Sequence, residues 1–285
     1  MSRPQAHRST RDGRTGRRGM LMEVLMAGCA VAFVFPLYVL VMVALKRPQD
    51  VASSVLAPPS PVYWGNLAEA WSSAEMGKAL VNSTVVTSLS VMLLVLTGSL
   101  ASFALARWKR GLGYGVFLLF VLGLVIPLQL GMIPLYQLMR DAGLLRTYTS
   151  LIVFYTGHEL PLTVFLYSGF LRALPRAYEE AAYVDGATAF QAFRRVIFPM
   201  LRPVTGTVII LNALFIWNDF LTPMLYVSGT AQQTVPVAVF SFVGEYSSDW
   251  GIIFAGLAIA VAPILALYFV FQRHIIKGFA GGLKG

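Results

Sequence analysis

Charge is what this sequence has least of. Of its 285 residues only 12% are Asp, Glu, Lys or Arg against 57% hydrophobic, and the mean hydropathy is +0.69. A soluble domain carries about twice that charged fraction, so the composition places the chain in a membrane. Cysteine is nearly absent, because Cys29, inside the first apolar run, is the only one. That excludes an intrachain disulfide and any cysteine-built metal site. The histidines, His7, His158 and His274, are dispersed, and the chain has no H-E-x-x-H, no Ser/His/Asp set and no clustered carboxylates. Nothing therefore points to a membrane-embedded enzyme. G-x-x-x-x-G-K-[ST] is missing too, so the chain has no phosphate-binding loop of that kind for ATP. Internal repeats and low-complexity domains are also lacking, which leaves a single all-α unit as the expected core.

What is present is a series of long apolar runs. Six are long enough to cross a bilayer, which takes roughly 20 residues each. They lie at 20–45, 80–106, 115–139, 150–171, 204–226 and 251–272. Six crossings return the two termini to one side. Of the 22 lysines and arginines, 17 fall in the segments this topology places inside and 5 in those it places outside. That bias predicts both termini in the cytoplasm. The net charge of +9 owes much to Arg3, Arg8, Arg11, Arg14, Arg17 and Arg18. Because this basic tail, 1–19, abuts the first apolar run and lacks interleaved aromatics, it reads as a membrane anchor rather than a nucleic-acid arm. That run is longer than the apolar core of a signal peptide and has no clear small-residue cleavage site, so it is expected to stay as the first span. Outside, 46–78 is too rich in proline to be one helix, and 227–250, with no Lys or Arg, is expected as an external loop.

The one sizeable polar stretch between apolar runs is 175–203, P-R-A-Y-E-E-A-A-Y-V-D-G-A-T-A-F-Q-A-F-R-R-V-I-F-P-M-L-R-P. It reads as a capped helical hairpin. Pro175 suits a first helical turn, Glu179 and Glu180 sit near the positive end of the dipole, and Gly186 supplies a left-handed closing residue. Thr188 with Gln191 fits a capping box, and Pro199 and Pro203 end the second helix. The pieces Glu180-Ala181-Ala182, Asp185-Gly186-Ala187 and Val196-Ile197-Phe198-Pro199 at this spacing resemble the cytoplasmic EAA loop of binding-protein-dependent ABC importer permeases. The usual ending is Ile-x-Leu-Pro, so Val196 and Phe198 depart from it by apolar exchange. The resemblance implies that this loop couples the membrane part to an ATPase subunit, through Glu180, Ala181, Ala182, Asp185, Gly186, Ala187 and Pro199.

A polar solute needs polar groups on protein-facing sides of helices, since such groups are costly against lipid. Gln129 and Tyr136 in the third run, and Asn212 and Asp219 in the fifth, are each seven residues apart on one face, with Asn218 beside the second pair. These five are candidates for a translocation path. Helix-to-helix hydrogen bonding is the competing use of Gln129 and Asn212, and capping of a helix end that of Asp219. His158 and Glu159 form a possible protonatable pair, but they lie near the predicted outer end with no second deep carboxylate. A structural or interfacial role is expected of them, and an ion-driven secondary transporter is the weaker alternative.

F-I-W-N-D-F-L-T-P-M-L at 215–225, T-V-P-V-A-V at 234–239 and the tail Q-R-H-I-I-K-G-F-A-G-G-L-K-G at 272–285 resemble carbohydrate importer permeases of the maltose-transporter type. The resemblance covers 20–285, which is expected to be one transmembrane domain with the coupling loop at 175–203 and a C-terminal tail at 273–285. It implies that Gly281, Gly282 and Lys284 reach between two ATPase subunits. It further implies a second, similar permease, an extracytoplasmic sugar-binding protein, and a bacterial cytoplasmic membrane. No cofactor is expected on this chain, with ATP and Mg held by the ATPase partners, and no nucleic acid is expected as a partner. An ABC permease for a non-sugar solute is the nearest alternative; the sugar itself is not named by any of these residues.

Overall fold

The computed structural model describes residues 13–108, 110–245 and 249–282, and the side-chain surroundings of 19–108, 111–243 and 249–269. The regular secondary structure of the described residues is all helical, without strands. Helix α1 (Gly13–Ala44) is followed by two short helices, α2 (Pro48–Ser53) and α3 (Gly65–Ser73), then by α4 (Met76–Arg107). Next come α5 (Arg110–Val125), α6 (Leu128–Asp141) and α7 (Tyr148–Ala173). The polar hairpin holds α8 (Ala177–Val184), α9 (Ala189–Ala192), a π-helical turn (Phe193–Ile197) and α10 (Phe198–Met200). After it come α11 (Arg202–Asn218), α12 (Leu221–Val227), α13 (Val235–Glu245) and α14 (Trp250–Gly282).

Three of these helices are by themselves long and apolar enough to cross a membrane: 19–44, 76–107 and 250–269. Two bent pairs raise the number to five if each counts as one span, α5 with α6 at 101° and α9–α10 with α11 at 75°. The third apolar run is thus two helices rather than one rod. Pro127 has no N–H to give and forces Ile126 out of the helical region, so the run breaks there and α6 starts afresh. The fifth run breaks at Asp219, whose extended backbone (ψ 123°) separates α11 from α12. The fourth expected span, α7, is a 26-residue helix, about 39 Å long, that carries His158 and Glu159. By composition it falls outside the group of three.

The loop expected at 227–250 is also corrected. Its V-P-V-A-V-F sequence is apolar enough to fold as α13, which buries Val235, Ala238, Val239 and Phe242. Lys46, counted as an external charge, is buried as well; its ammonium donates to Ser54 O (2.6 Å) and Val55 O (3.1 Å).

Three buried clusters run along the bundle. At the end away from the hairpin, Ala70, Met76, Ala79, Trp217, Phe242 and Ile252 join α3, α4, α11, α13 and α14. In the middle, Leu94, Leu151, Tyr155, Ala213 and Tyr226 join α4, α7, α11 and α12. At the hairpin end, Phe103, Tyr167, Leu171, Phe193, Ile197 and Leu201 join α4 and α7 to the π turn. Helices α4 and α7 run unbroken past all these levels and approach closely. A Cβ at Gly98 would stand 2.3 Å from Thr163 Cγ2, and Ser102 Oγ one turn on donates to Val164 O at 3.2 Å. Small residues spaced by four are how helices without a hydrophobic driving force reach van der Waals contact in lipid.

Candidate functional site

The hairpin begins where Pro175 releases the chain from α7. Arg176 is the N-cap of α8, so Pro175 precedes the helix instead of occupying its first turn. Glu179 and Glu180 lie in that first turn, favoured by the helix dipole. The C-terminus closes as a Schellman motif: the Ala187 amide donates to Ala182 O (2.9 Å) and the Gly186 amide to Tyr183 O (3.0 Å). Gly186 takes φ +78°, a conformation that costs a residue with a Cβ about 1–2 kcal/mol. Thr188 then caps α9 reciprocally. Its Oγ1 accepts from the Gln191 amide at 3.3 Å, and Gln191 Oε1 accepts from the Thr188 amide at 2.8 Å.

Beyond α9 the helix widens into the π turn, and its cause is Pro199. Without an N–H, Pro199 cannot bond to the carbonyl of Arg195, and its ring crowds that carbonyl. The Phe198 amide reaches back five residues to Phe193 O. This turn aims Phe193 at Phe103 of α4, with ring centroids 5.2 Å apart, and buries Ile197. Pro199 therefore lies within the helical segment, and the chain turns after it, at Leu201.

A second tie fixes α8 to α4. Glu179 is 3% exposed and pairs with the guanidinium of Arg107, the last residue of α4, which also lies over the Phe103 ring at 5.5 Å. In the sequence, Arg107 is one of the 17 basic residues on the side assigned to the cytoplasm, with nothing else to distinguish it. The pair is separated by 72 residues, so no local spacing signals it.

Of the expected coupling residues, Ala182 is buried and Ala187 and Pro199 half-buried, whereas Glu180, Ala181, Asp185 and Gly186 are exposed. The hairpin also leaves large apolar side chains uncovered: Tyr183, Phe190 and Val184, the last 87% exposed. Together these make a stiff, capped knob with an apolar tip, tied at its base to the ends of α4 and α7.

The expected path residues are not brought together on one face. Gln129 and Asn218 are exposed, and Asn218 Nδ2 donates to Leu214 O of its own helix (2.7 Å). Tyr136 is half-buried, with its ring 6.1 Å from that of Tyr226. Asn212 is wholly buried, and its amide donates to Thr163 Oγ1 (3.2 Å) and Val208 O (2.8 Å). That is the helix-to-helix use of an intramembrane asparagine, the competing role expected for Asn212. Asp219 receives Tyr155 OH at 3.0 Å and the amides of Leu221 (3.0 Å) and Thr222 (3.5 Å), so it caps α12. His158 lies between the rings of Phe154 and Phe215 and contacts buried Glu159 at 2.7 Å. Gly281 and Gly282 fall in the last turn of α14, and Lys284 lies outside the described residues.

The described residues thus form a helical bundle with long apolar helices and a capped, apolar-tipped hairpin at one end, the build of a membrane transport component. The family model described as "binding-protein-dependent transport system inner membrane component" matches residues 94–281, and the chain belongs to that family. Among its relatives, the melibiose/raffinose/stachyose import permease protein MelC of Bacillus subtilis is 35% identical over 93% of this chain and 96% of the relative. The multiple sugar-binding transport system permease protein MsmG of Streptococcus mutans is 34% identical over 91% and 94%. In fold the chain is similar to a chain of a bacterial ABC transporter involved in the import of the acidic polysaccharide alginate. The TM-score is 0.76 at 19% identity, covering 95% of this chain and 99% of that one.

Proposed function

We propose that this chain is a membrane-spanning permease subunit of an ATP-driven sugar importer, forming half of its translocation pathway. The observation that carries the reading is the hairpin. A loop capped at both internal ends, tied to α4 through Arg107 and Glu179, and presenting Tyr183, Val184 and Phe190 outward is built to take a push from a soluble partner. The family and the names of MelC and MsmG support sugar as the solute class.

In this reading α1, α4, the α5–α6 pair, α7, α11 with α12, and α14 are six spans, with both termini and the hairpin cytoplasmic, as the Lys and Arg bias favours. The chain pairs with a second permease, and the hairpins of the two dock on two ATPase subunits, which hold ATP and Mg; this chain binds no cofactor. An extracytoplasmic binding protein delivers the sugar at the opposite end. The basic segment 1–19 anchors the first span, and Gly281, Gly282 and Lys284 lie toward the ATPase pair.

The test is a pull-down of the tagged chain from its own membrane. Recovery of an ATPase and a second permease is expected, and Val184→Asp is expected to lower ATPase recovery while the second permease stays. A chain that purified alone and moved solute in vesicles without ATP would overturn the reading.

A further inference from the structure

A pocket of about 310 Å³ opens where α4 ends, α5 begins and α7 ends, beside the base of the hairpin. Three arginines line it: Arg107, Arg172 and Arg176. Glu179 neutralises Arg107. Neither Arg172 nor Arg176 enters an ion pair among the described residues, and the Arg172 guanidinium is instead held 4.3 Å from the centroid of the Phe117 ring. The pocket thus keeps two positive charges without a carboxylate to answer them. Ser168 also lines it, one turn deeper along α7; the residue is 4% exposed, and its Oγ has no hydrogen-bond partner among the described residues. Trp108 and Tyr114 on the rim are both exposed, as suits aromatic side chains at a membrane–water boundary.

We propose that this pocket binds a phosphate-bearing anion, supplied by the headgroup of an anionic phospholipid or by free phosphate. Uncompensated guanidinium groups at the ends of apolar helices seek an anion, and their forked donors match phosphate oxygens. Basic pockets between membrane helices at headgroup level take such groups. The Ser168 hydroxyl supplies a donor to an oxygen that reaches the deeper part of the site. Occupancy has a consequence for the hairpin, because Arg176 is the N-cap residue of α8 and Arg107 holds Glu179. The anion therefore bears on both residues from which the hairpin is suspended. The binding itself depends neither on the solute carried nor on the ATPase partners.

The test is native mass spectrometry of the full chain, released from micelles containing equal phosphatidylglycerol and phosphatidylcholine, with inorganic phosphate titrated in a separate arm. One retained phosphatidylglycerol is expected. It should be lost in the Arg172→Gln/Arg176→Gln double variant, with affinity down about 30-fold, a factor of five or so per basic residue. Both side chains are exposed and the Arg176 side chain makes no cap bond to α8, so the helices should persist in the double variant, which circular dichroism checks. Arg194→Gln, exposed and outside the pocket, should retain the lipid. Arginine-dependent binding of inorganic phosphate with no retained lipid would assign the site to the soluble anion. Equal retention by parent and double variant, with phosphate binding unchanged between them, would overturn the proposal.

Discussion

Substituting Glu179 by alanine isolates the tie between hairpin and bundle. The carboxylate lies on a side chain 4% exposed, and its partner guanidinium on one 23% exposed. Removing one member of a buried pair typically costs about 3–5 kcal/mol, since the other charge stays desolvated without its counterion. Arg107 retains some access to water, so the lower end applies, about 3 kcal/mol. For a chain of this size that corresponds to a fall of about 6 °C in melting temperature. The double variant Arg107→Met/Glu179→Leu removes both charges and keeps much of the volume. It should melt close to the parent, because a buried pair replaced by apolar groups is often neutral or better. Sugar uptake separates fold from coupling: the double variant should recover stability without recovering transport, as α8 has lost its directional tie to α4. Thermal melts of the purified chain and uptake in cells are the two readouts. A Glu179→Ala variant as stable as the parent, or a coupling energy in the double-mutant cycle below about 0.5 kcal/mol, would refute the reasoning.

Gly186→Val should insert normally yet abolish uptake, since φ +78° strains a β-branched residue; Gly186→Asn, which tolerates that region, should keep most of it. Gly98→Ala should destabilise by about 1–3 kcal/mol through collision with Thr163, and adding Thr163→Ser, which removes the offending methyl, should recover part of the loss in thermal melts. Asn212→Leu should cost about 1–3 kcal/mol by leaving Thr163 without that partner, lowering uptake in step with stability. A changed preference among sugars in that variant would instead place Asn212 against solute.

The hairpin was legible because its determinants are local. Gly186 needs only its own φ, and Thr188 and Gln191 find each other three residues apart. The breaks were only partly legible. Pro127 was visible as a proline within an apolar run, but a proline fixes a lost hydrogen bond and not the 101° angle, which neighbouring helices set. Helix α13 is harder to see, because a stretch free of Lys and Arg and bounded by apolar runs suits an external loop, whereas its buried residues Val235, Ala238, Val239 and Phe242 fall at helical spacing. The roles of Asn212 and Arg107 depend on partners 49 and 72 residues away, and nothing in a single sequence fixes such a distance.

The positions of the breaks bear on how a push at the hairpin would travel. Pieces α6 and α12, beyond the two breaks, pack on each other and on α7: Tyr136 meets Tyr226, Phe154 meets Tyr226 at 5.6 Å, and the Arg146 amide donates to Tyr226 O at 2.9 Å. At the other end, the π turn is packed against α4 and α7 through Phe103, Tyr167 and Leu171. The unbroken helices α4 and α7 are therefore common to both bodies, whereas α5–α6 bends by 101° and α11–α12 is interrupted at Asp219. A backbone bends most cheaply where its hydrogen bonds are already supplied from elsewhere. Pro127 has no amide hydrogen to lose, and Asp219 Oδ1 already serves the amides of Leu221 and Thr222. If the hairpin were displaced, the continuous helices α4 and α7 would carry the movement toward the far end, and the breaks at Pro127 and Asp219 would be places for the surrounding helices to yield.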